Sequence, residues 1–299
     1  MPEHERQSIA AELDPPFVVV APRVQTAPIV VCSPHSGRIY PQNFLAQSRL
    51  DAHTLRKSED CYVDELLSGV PGLGAPMIAA RFPRAYVDVN REPYELDPDL
   101  FDGALPPYAN TQSVRVVGGL GTIARIVADS EEIYRARLPV GVALERIDRL
   151  YKPFHAALSS LLEETRRRFG YAVLVDCHSM PSAPVGQPLA VRPDFVIGDR
   201  FGASCDIKLT RFLRDALAVG DCEVHVNRPY AGGFITEHYG RPGRGIHAIQ
   251  LEMNRALYLD ETKLTRIAGF TDLRAKLTRT FGMLAADLPR MLGGRAAAE

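Results

Sequence analysis

Apolar residues along this chain fall either into short unbroken runs or into stripes spaced three to four apart, and their order predicts repeated passage from strand to helix. The run PIVVC, Pro28 to Cys32, is β-branched and has no polar alternation, the pattern of a strand buried on both faces, and it stops abruptly in SPHSG. FVVV, Phe17 to Val20, is a second short run and reads as an edge strand within an otherwise polar N-terminal tail over residues 1–25. From Ser58 the spacing turns helical through Val63, Leu66, Leu67 and Val70 until VPGLGAP breaks it. MIAARF and AYVDVN read as extended pieces, and residues 95–121, rich in Pro and Gly, as a long connection. Leu150, Phe154, Leu158, Leu161 and Leu162 form the longest stripe, with EETRRR on the opposite face. They predict a helix over 144–169 that Pro153 kinks or divides and Gly170 caps. YAVLVD follows at once and ends in CHSMPS. Strands at FVIGD, EVHVN and AIQLEMN, a helix over about Ser204 to Ala218 and a final helix from about Thr262 to Leu292 complete the series.

Helices alternating with apolar strands predict one three-layer α/β domain with a mostly parallel central sheet over residues 26–292, followed by a short tail at 293–299. Length alone leaves two smaller domains open, since 299 residues lie near the size at which a single core divides. The succession of elements favours one. Composition changes the picture mainly by exclusion. Lys plus Arg number 35 against 36 for Asp plus Glu, a net charge of −1, which carries no electrostatic footprint of a nucleic-acid binder. No apolar run approaches the ~18 residues of a membrane span, and MPEHERQSIA has neither a basic leader nor an apolar stretch, so a soluble cytoplasmic protein is expected. The five cysteines include no CxxC pair, against both a disulfide framework and a thiolate zinc cage.

Three strand-like runs end in a group that can bind metal or move protons: His35 after IVVC, His178 after VLVDC, and Glu252 inside IQLEMN. In open parallel sheets ligands bind beyond the carboxyl ends of the strands, so these three can converge however far apart they lie in sequence. Two imidazoles and a carboxylate are the usual ligands of a hydrolytic zinc site. His35 is equally at home bonded to nearby backbone, whereas Asp176, two positions before His178, suits the partner that orients a metal-bound imidazole. A carboxylate at Glu252, in a run that should be buried, costs several kcal/mol unless it is used or paired, Arg255 being the obvious partner. Glu59 and Asp60 both stand at a helix start, and either could supply the acidic ligand or simply complement the helix dipole. In RFPRAYVDVNR, Arg84 and Arg91 have the fork that grips a carboxylate bidentately, with pairing to Asp88 or Glu92 as the alternative. Gly232 and Gly233 place a turn where backbone amides can approach a ligand. His155 and His225 read as structural, His4 and His53 as exposed.

Taken in order, SPHSG, DCYVDEL, YVDVNR, PFHAAL, VDCHSMPS, VIGD, NRPYAGGFITEHYG and AIQLEMNRALYLDE resemble the N-formylglutamate amidohydrolases, from about Ile29 to Asp260. That family is similar in turn to the zinc carboxypeptidases and aspartoacylases, whose fold the resemblance implies here. The likeness implies zinc, or another divalent ion such as cobalt, held by His35, Asp60 and His178, with Glu252 as general base and Arg84 polarising the scissile carbonyl. It also implies Asn90 and Arg91 on the substrate carboxylate, with Asn227, Arg228, Gly232 and Gly233 completing the substrate site. The compact HxxE of the carboxypeptidases is missing after His35, so the acidic ligand is placed through the DxxVDEL position, with Glu59 as competitor.

The expected function is therefore cleavage of N-formyl-L-glutamate to formate and L-glutamate in histidine breakdown. The alternatives are a related amidohydrolase with a different acyl or amino acid preference, or a metal-dependent protein that binds acidic amino acids without turning them over. The latter would have no use for a buried Glu252.

Overall fold

The β-branched runs assemble as the sequence predicts. In the computed structural model, which describes residues 2–127, 131–183 and 192–293, seven strands share one sheet. They are β1 (Phe17–Val20), β2 (Ile29–Ser33), β3 (Met77–Ala80), β4 (Ala172–Met180), β5 (Phe195–Gly198), β6 (Val224–Val226) and β7 (Ile246–Asn254). Their order is β1-β3-β2-β4-β7-β5-β6. Pairing is parallel for β2 with β4, β4 with β7 and β5 with β6, and antiparallel for β5 with β7. The class is thus the α/β architecture expected, with a mostly parallel central sheet. All nine residues of β4 are buried, as are Ile29 to Ser33 of β2, which is why these runs lack polar alternation.

Contacts gather the chain into two compact units, one of Met1–Val18, Pro34–Cys61 and Ala79–Ala157, the other of Val19–Ser33, Tyr62–Ile78 and Leu158–Glu299. The second unit carries most of the sheet. Its C-terminal helix, Gly269–Leu292, buries Phe270, Leu273, Leu277, Thr280, Phe281, Leu284, Leu288 and Leu292, a stripe at helical spacing. Each large apolar side chain so covered contributes about 1.5–3 kcal/mol. The helix begins seven residues later than Thr262, because Leu259–Asp260 and Thr265–Arg266 first pair as a small antiparallel ladder. From Ser58 only a single turn, Val63–Leu66, becomes α-helix, and a 3₁₀ turn over Pro71–Leu73 follows.

The first unit departs most from expectation. The opening residues form a helix, α1 (Pro2–Glu12), packed against α2 (Val140–Arg146), rather than a tail. Periodicity missed it because α1 buries only Glu5 and Ile9 and has no apolar stripe. Glu5 Oε1 accepts from Arg146 Nε at 2.5 Å and Tyr86 OH at 2.5 Å, and Glu5 Oε2 accepts from Asn43 Nδ2 at 2.7 Å. AYVDVN, expected as extended, is a series of turns. Tyr86 N–H donates to Pro83 O, and the Asp88 side chain accepts from Asn90 N–H, so local bonds displace a strand ladder.

The long helical stripe resolves into α2, a π turn over Ile147–Tyr151 and α3 (Lys152–Phe169). The wide turn sits just ahead of Pro153, whose missing N–H and bulky ring make a regular preceding turn unfavourable. Gly170 ends α3 in the left-handed region at φ 82°, as a C-cap should. Among the described residues no helix is long and apolar enough to cross a membrane. The expected C-terminal tail, save Gly293, lies outside the described residues.

Candidate metal centre and active site

Strand register places the chemistry. β2 and β4 run side by side with Cys32 opposite Asp176, so the chain leaving β2 carries His35 from the same end of the sheet at which β4 presents His178. β4 and β7 are in register throughout, with Asp176 opposite Gln250 and His178 opposite Glu252. A residue and its direct register partner share a face, so His178 and Glu252 are neighbours by backbone geometry alone.

His35 is 1% exposed, and its two nitrogens face two carboxylates. Nε2 donates to Asp88 Oδ1 at 2.7 Å, while Nδ1 lies 3.4 Å from Asp60 Oδ2. Asp60 is tied to the same loop by its own N–H, which donates to His35 O at 3.0 Å. Gly37 lets this loop press against the backbone of Arg81 and Phe82: a Cβ there would stand 2.1 Å from Phe82 O. His178 repeats the theme, with Nε2 at 3.0 Å from Asp176 Oδ2, the contact foreseen from their i, i+2 spacing.

His35, Asp60 and His178, all buried, each offer a ligand atom, and these atoms lie within 4.8 Å of one another. The donor set fits a divalent metal. With Nε2 turned to Asp88, His35 presents Nδ1 on the side of the Asp60 carboxylate, so an imidazole nitrogen and a carboxylate oxygen are offered to one point. A carboxylate such as Asp88 on the far nitrogen is the kind of partner that orients a metal-ligating histidine, and Asp176 lies 3.0 Å from His178 Nε2.

Glu59, the competitor for the acidic position, is used elsewhere. It accepts from Tyr40 OH at 2.7 Å, Arg56 Nε at 3.2 Å and Cys61 Sγ at 3.3 Å. The Cys32 and Cys177 thiols are pushed well up, first by burial and then by the charge of Asp176, so neither supplies a thiolate.

Asp88 gathers the arginine segment. Its carboxylate, with about four lone-pair sites, receives His35, Asn90 N–H at 2.8 Å, Arg84 Nη2 at 2.8 Å and Arg91 Nη2 at 3.5 Å. Burial alone would raise its pKa, but Arg91, His35 and Arg84 together hold it well below the usual carboxylate value. Pairing to Asp88, the alternative reading of these arginines, is therefore present. Arg91 also donates to Leu120 O and Asn90 O, which fixes its fork. The sequence reading missed Asp88 as the partner of His35. The signal available was an acid between two arginines, one more cationic partner than a simple pair needs.

On β7, Glu252 Oε1 accepts from Gln250 Nε2 at 2.8 Å, and Gln250 Oε1 accepts from Gly233 N–H at 2.7 Å. Arg255, the structural partner considered for Glu252, donates to Ser179 Oγ at 3.1 Å. Gly232 is left-handed at φ 115°. Asn227 is engaged by Asp199: Nδ2 donates to Asp199 Oδ1 at 2.7 Å, and Oδ1 accepts Asp199 N–H at 3.0 Å. Arg228, next in the chain, is exposed. His155 donates to Val89 O, and exposed His225 pairs with Glu223; neither belongs to the metal-ligating group.

Comparison with known proteins agrees with this arrangement. Residues 27–259 match the family described as N-formylglutamate amidohydrolase. A protein of Pseudomonas putida named N-formylglutamate deformylase is 30% identical over 239 residues, 79% of this chain and 83% of that one. The crystal structure of N-formylglutamate amidohydrolase from Ralstonia eutropha JMP134 superposes with a TM-score of 0.87 at 33% identity, covering 93% of this chain and 99% of that one. A gene product of Agrobacterium tumefaciens shares the fold at 17% identity, with a TM-score of 0.67 over 91% of this chain and 95% of that one. The chain belongs to the N-formylglutamate amidohydrolase family, hydrolases that act on an amide carbon–nitrogen bond.

Proposed function

We propose that this protein hydrolyses N-formyl-L-glutamate to formate and L-glutamate in a zinc-dependent reaction, a late step of histidine breakdown in the cytoplasm. The observation that carries the reading is the buried His35, Asp60 and His178 group with Glu252 in register beside His178. The relatives' names point to the substrate, and the arginine segment is the chemistry that substrate requires.

His35, Asp60 and His178 would hold the ion, which when bound supplies a Lewis acid that polarises the formyl carbonyl and acidifies water. Glu252 takes a proton from the attacking water and returns it to the leaving nitrogen, so that the C–N bond breaks with glutamate leaving as a neutral amine. Arg84, oriented by Asp88, donates to the carbonyl oxygen as negative charge builds there. Asn90 and Arg91 bind a substrate carboxylate; removed from water, that carboxylate needs a paired guanidinium. Exposed Arg228 serves the second carboxylate, with Asn227 holding its loop to Asp199 and Gly232 and Gly233 shaping the turn that follows.

A panel of N-formyl, N-acetyl and longer N-acyl amino acids, incubated with zinc-loaded protein and read by released amine, tests this. N-formylglutamate should be turned over best. Turnover of none would leave a protein that binds acidic amino acids without hydrolysing them; preference for another acyl group would move the substrate within the enzyme class.

A further inference from the structure

The general base assigned above does not stand alone on its strand. Gln250 and Glu252 are two residues apart on β7, so their side chains emerge on the same face, and both are buried, at 4% and 7% exposure. Gln250 Nε2 donates to Glu252 Oε1 at 2.8 Å, and Gln250 Oε1 accepts Gly233 N–H at 2.7 Å. This fixes which way the amide points. A backbone N–H can only donate and an ionised carboxylate can only accept, so a reversed amide would set donor against donor at Gly233 and acceptor against acceptor at Glu252.

The glycine turn reaches Gln250 for a reason visible in the sheet. Gly198 is the antiparallel register partner of Gln250, and a Cβ on Gly198 would stand 2.6 Å from Gly232 N and 2.7 Å from Ala231 C. Only a bare α-carbon at 198 lets residues 231–233 settle onto β5 and aim the Gly233 N–H at Gln250.

We propose that Gln250 is a positioning residue for Glu252: it clamps one carboxylate oxygen while the Gly233 N–H locks the clamp, so that the glycine turn and the general base form one hydrogen-bonded unit. A carboxylate's terminal torsion is broad and soft. Proton transfer needs a heavy-atom approach of about 2.6–3.2 Å, and the Gln250 bond fixes the direction of one carboxylate oxygen toward it. The inference rests on the reading of Glu252 as general base.

The test compares zinc-loaded parent, Gln250→Met, Gln250→Glu and Glu252→Gln on N-formylglutamate, with each single Gln250 change also combined with Glu252→Gln. Gln250→Met keeps volume and removes both bonds. Gln250→Glu still accepts from Gly233 N–H but sets a second carboxyl against Glu252, the two sharing a proton, so it separates anchoring the turn from leaving the base free to accept. Both should lower kcat by about 10- to 100-fold, the scale of a misplacement near 1 Å, with KM little changed, zinc content at the parent level and a cooperative thermal transition. Neither should reduce turnover further in the Glu252→Gln background, because a residue acting through the base has nothing left to act on. Full kcat in Gln250→Glu, or losses that multiply in the double variants, would make Gln250 an anchor of the turn only and overturn the inference. Should Gln250→Met fail to fold, Gln250→Glu and its double decide alone. An inactive parent overturns the functional reading and this inference with it; an active parent insensitive to Gln250 overturns the inference alone.

Discussion

Among the described residues, two clusters of buried charge differ in the cation that their acids face. Around Glu5 and Arg146 acceptors meet donors. Glu5 takes bonds from Arg146, Tyr86 and Asn43, and Arg146 gives others to Tyr134 OH at 2.7 Å and Tyr86 O at 3.3 Å, with its guanidinium 4.0 Å from the Tyr86 ring centroid. Around the imidazoles each carboxylate faces a ring nitrogen, with His35 set between Asp60 and Asp88 and His178 beside Asp176. The first cluster pairs its acid with a guanidinium, which binds no metal; the second pairs its acids with imidazoles, whose nitrogens can also ligate one. Burial of charge is therefore not what marks a functional site. The kind of cation that the buried acids face is.

The comparison breaks most decisively at the metal ligands. His178→Ala and Asp60→Ala should each drop zinc content to background by elemental analysis and lower turnover about 10³-fold or more, the loss of several kcal/mol of Lewis-acid stabilisation. Glu59→Ala should keep its zinc. A chelator should silence the parent in the same way, and zinc should restore it. If Glu59→Ala is the variant that empties the site, Glu59 and not Asp60 is the acidic ligand.

Glu252→Gln should cost about 10²–10⁴ in kcat, the usual worth of general acid–base catalysis, while zinc content and KM stay near the parent values. Near-normal kcat would make Glu252 a residue of structure, as Glu5 is.

Arg146→Met should do the reverse of both. It leaves Glu5 buried without its cation, so equilibrium unfolding should show a loss of about 3–5 kcal/mol, with zinc content and kcat unchanged below the transition. Lost zinc in this variant would mean that the two clusters are not independent. Smallest is Arg91→Lys, which keeps charge but removes the planar fork. KM for N-formylglutamate should rise by a factor reflecting about 1–3 kcal/mol, with no change in zinc. Equal hydrolysis of N-formylleucine by the parent, with neither substrate sensitive to this change, would sever the arginine segment from substrate binding.

What could be read in the sequence follows from what each pattern encodes. The strands ending near His35 and His178 were legible because β4 and β2 are buried on both faces and so are written as unbroken apolar runs. Glu252 was legible as a charge where that run allows none. Asp60 and Glu59 were not separable, since adjacent side chains differ only in direction and direction is set by the His35 loop, through the bond from Asp60 N–H to His35 O. Helix α1 was illegible because its buried residues are one acid and one isoleucine, and the acid's partner, Arg146, lies 141 positions away. Gln250 escaped for a related reason. An amide in a strand carries no charge whose burial must be explained, so nothing in its identity asks for a partner.

The alignment of His178 with Glu252 across a parallel ladder has a consequence for how such an enzyme can diversify. Neighbouring strands stand about 4.8 Å apart and side chains alternate faces at every step, so inserting or deleting one residue within either strand would turn the imidazole and the carboxylate to opposite sides. Changes of length are thereby barred from β4 and β7, while the connection at residues 95–121 lies outside that ladder and is tied at separate points, Phe101–Asp102 to Leu138–Pro139 and Glu95 to Asn110. Chain can be gained or lost there between those points, while the two strands admit only replacement, one side chain at a time.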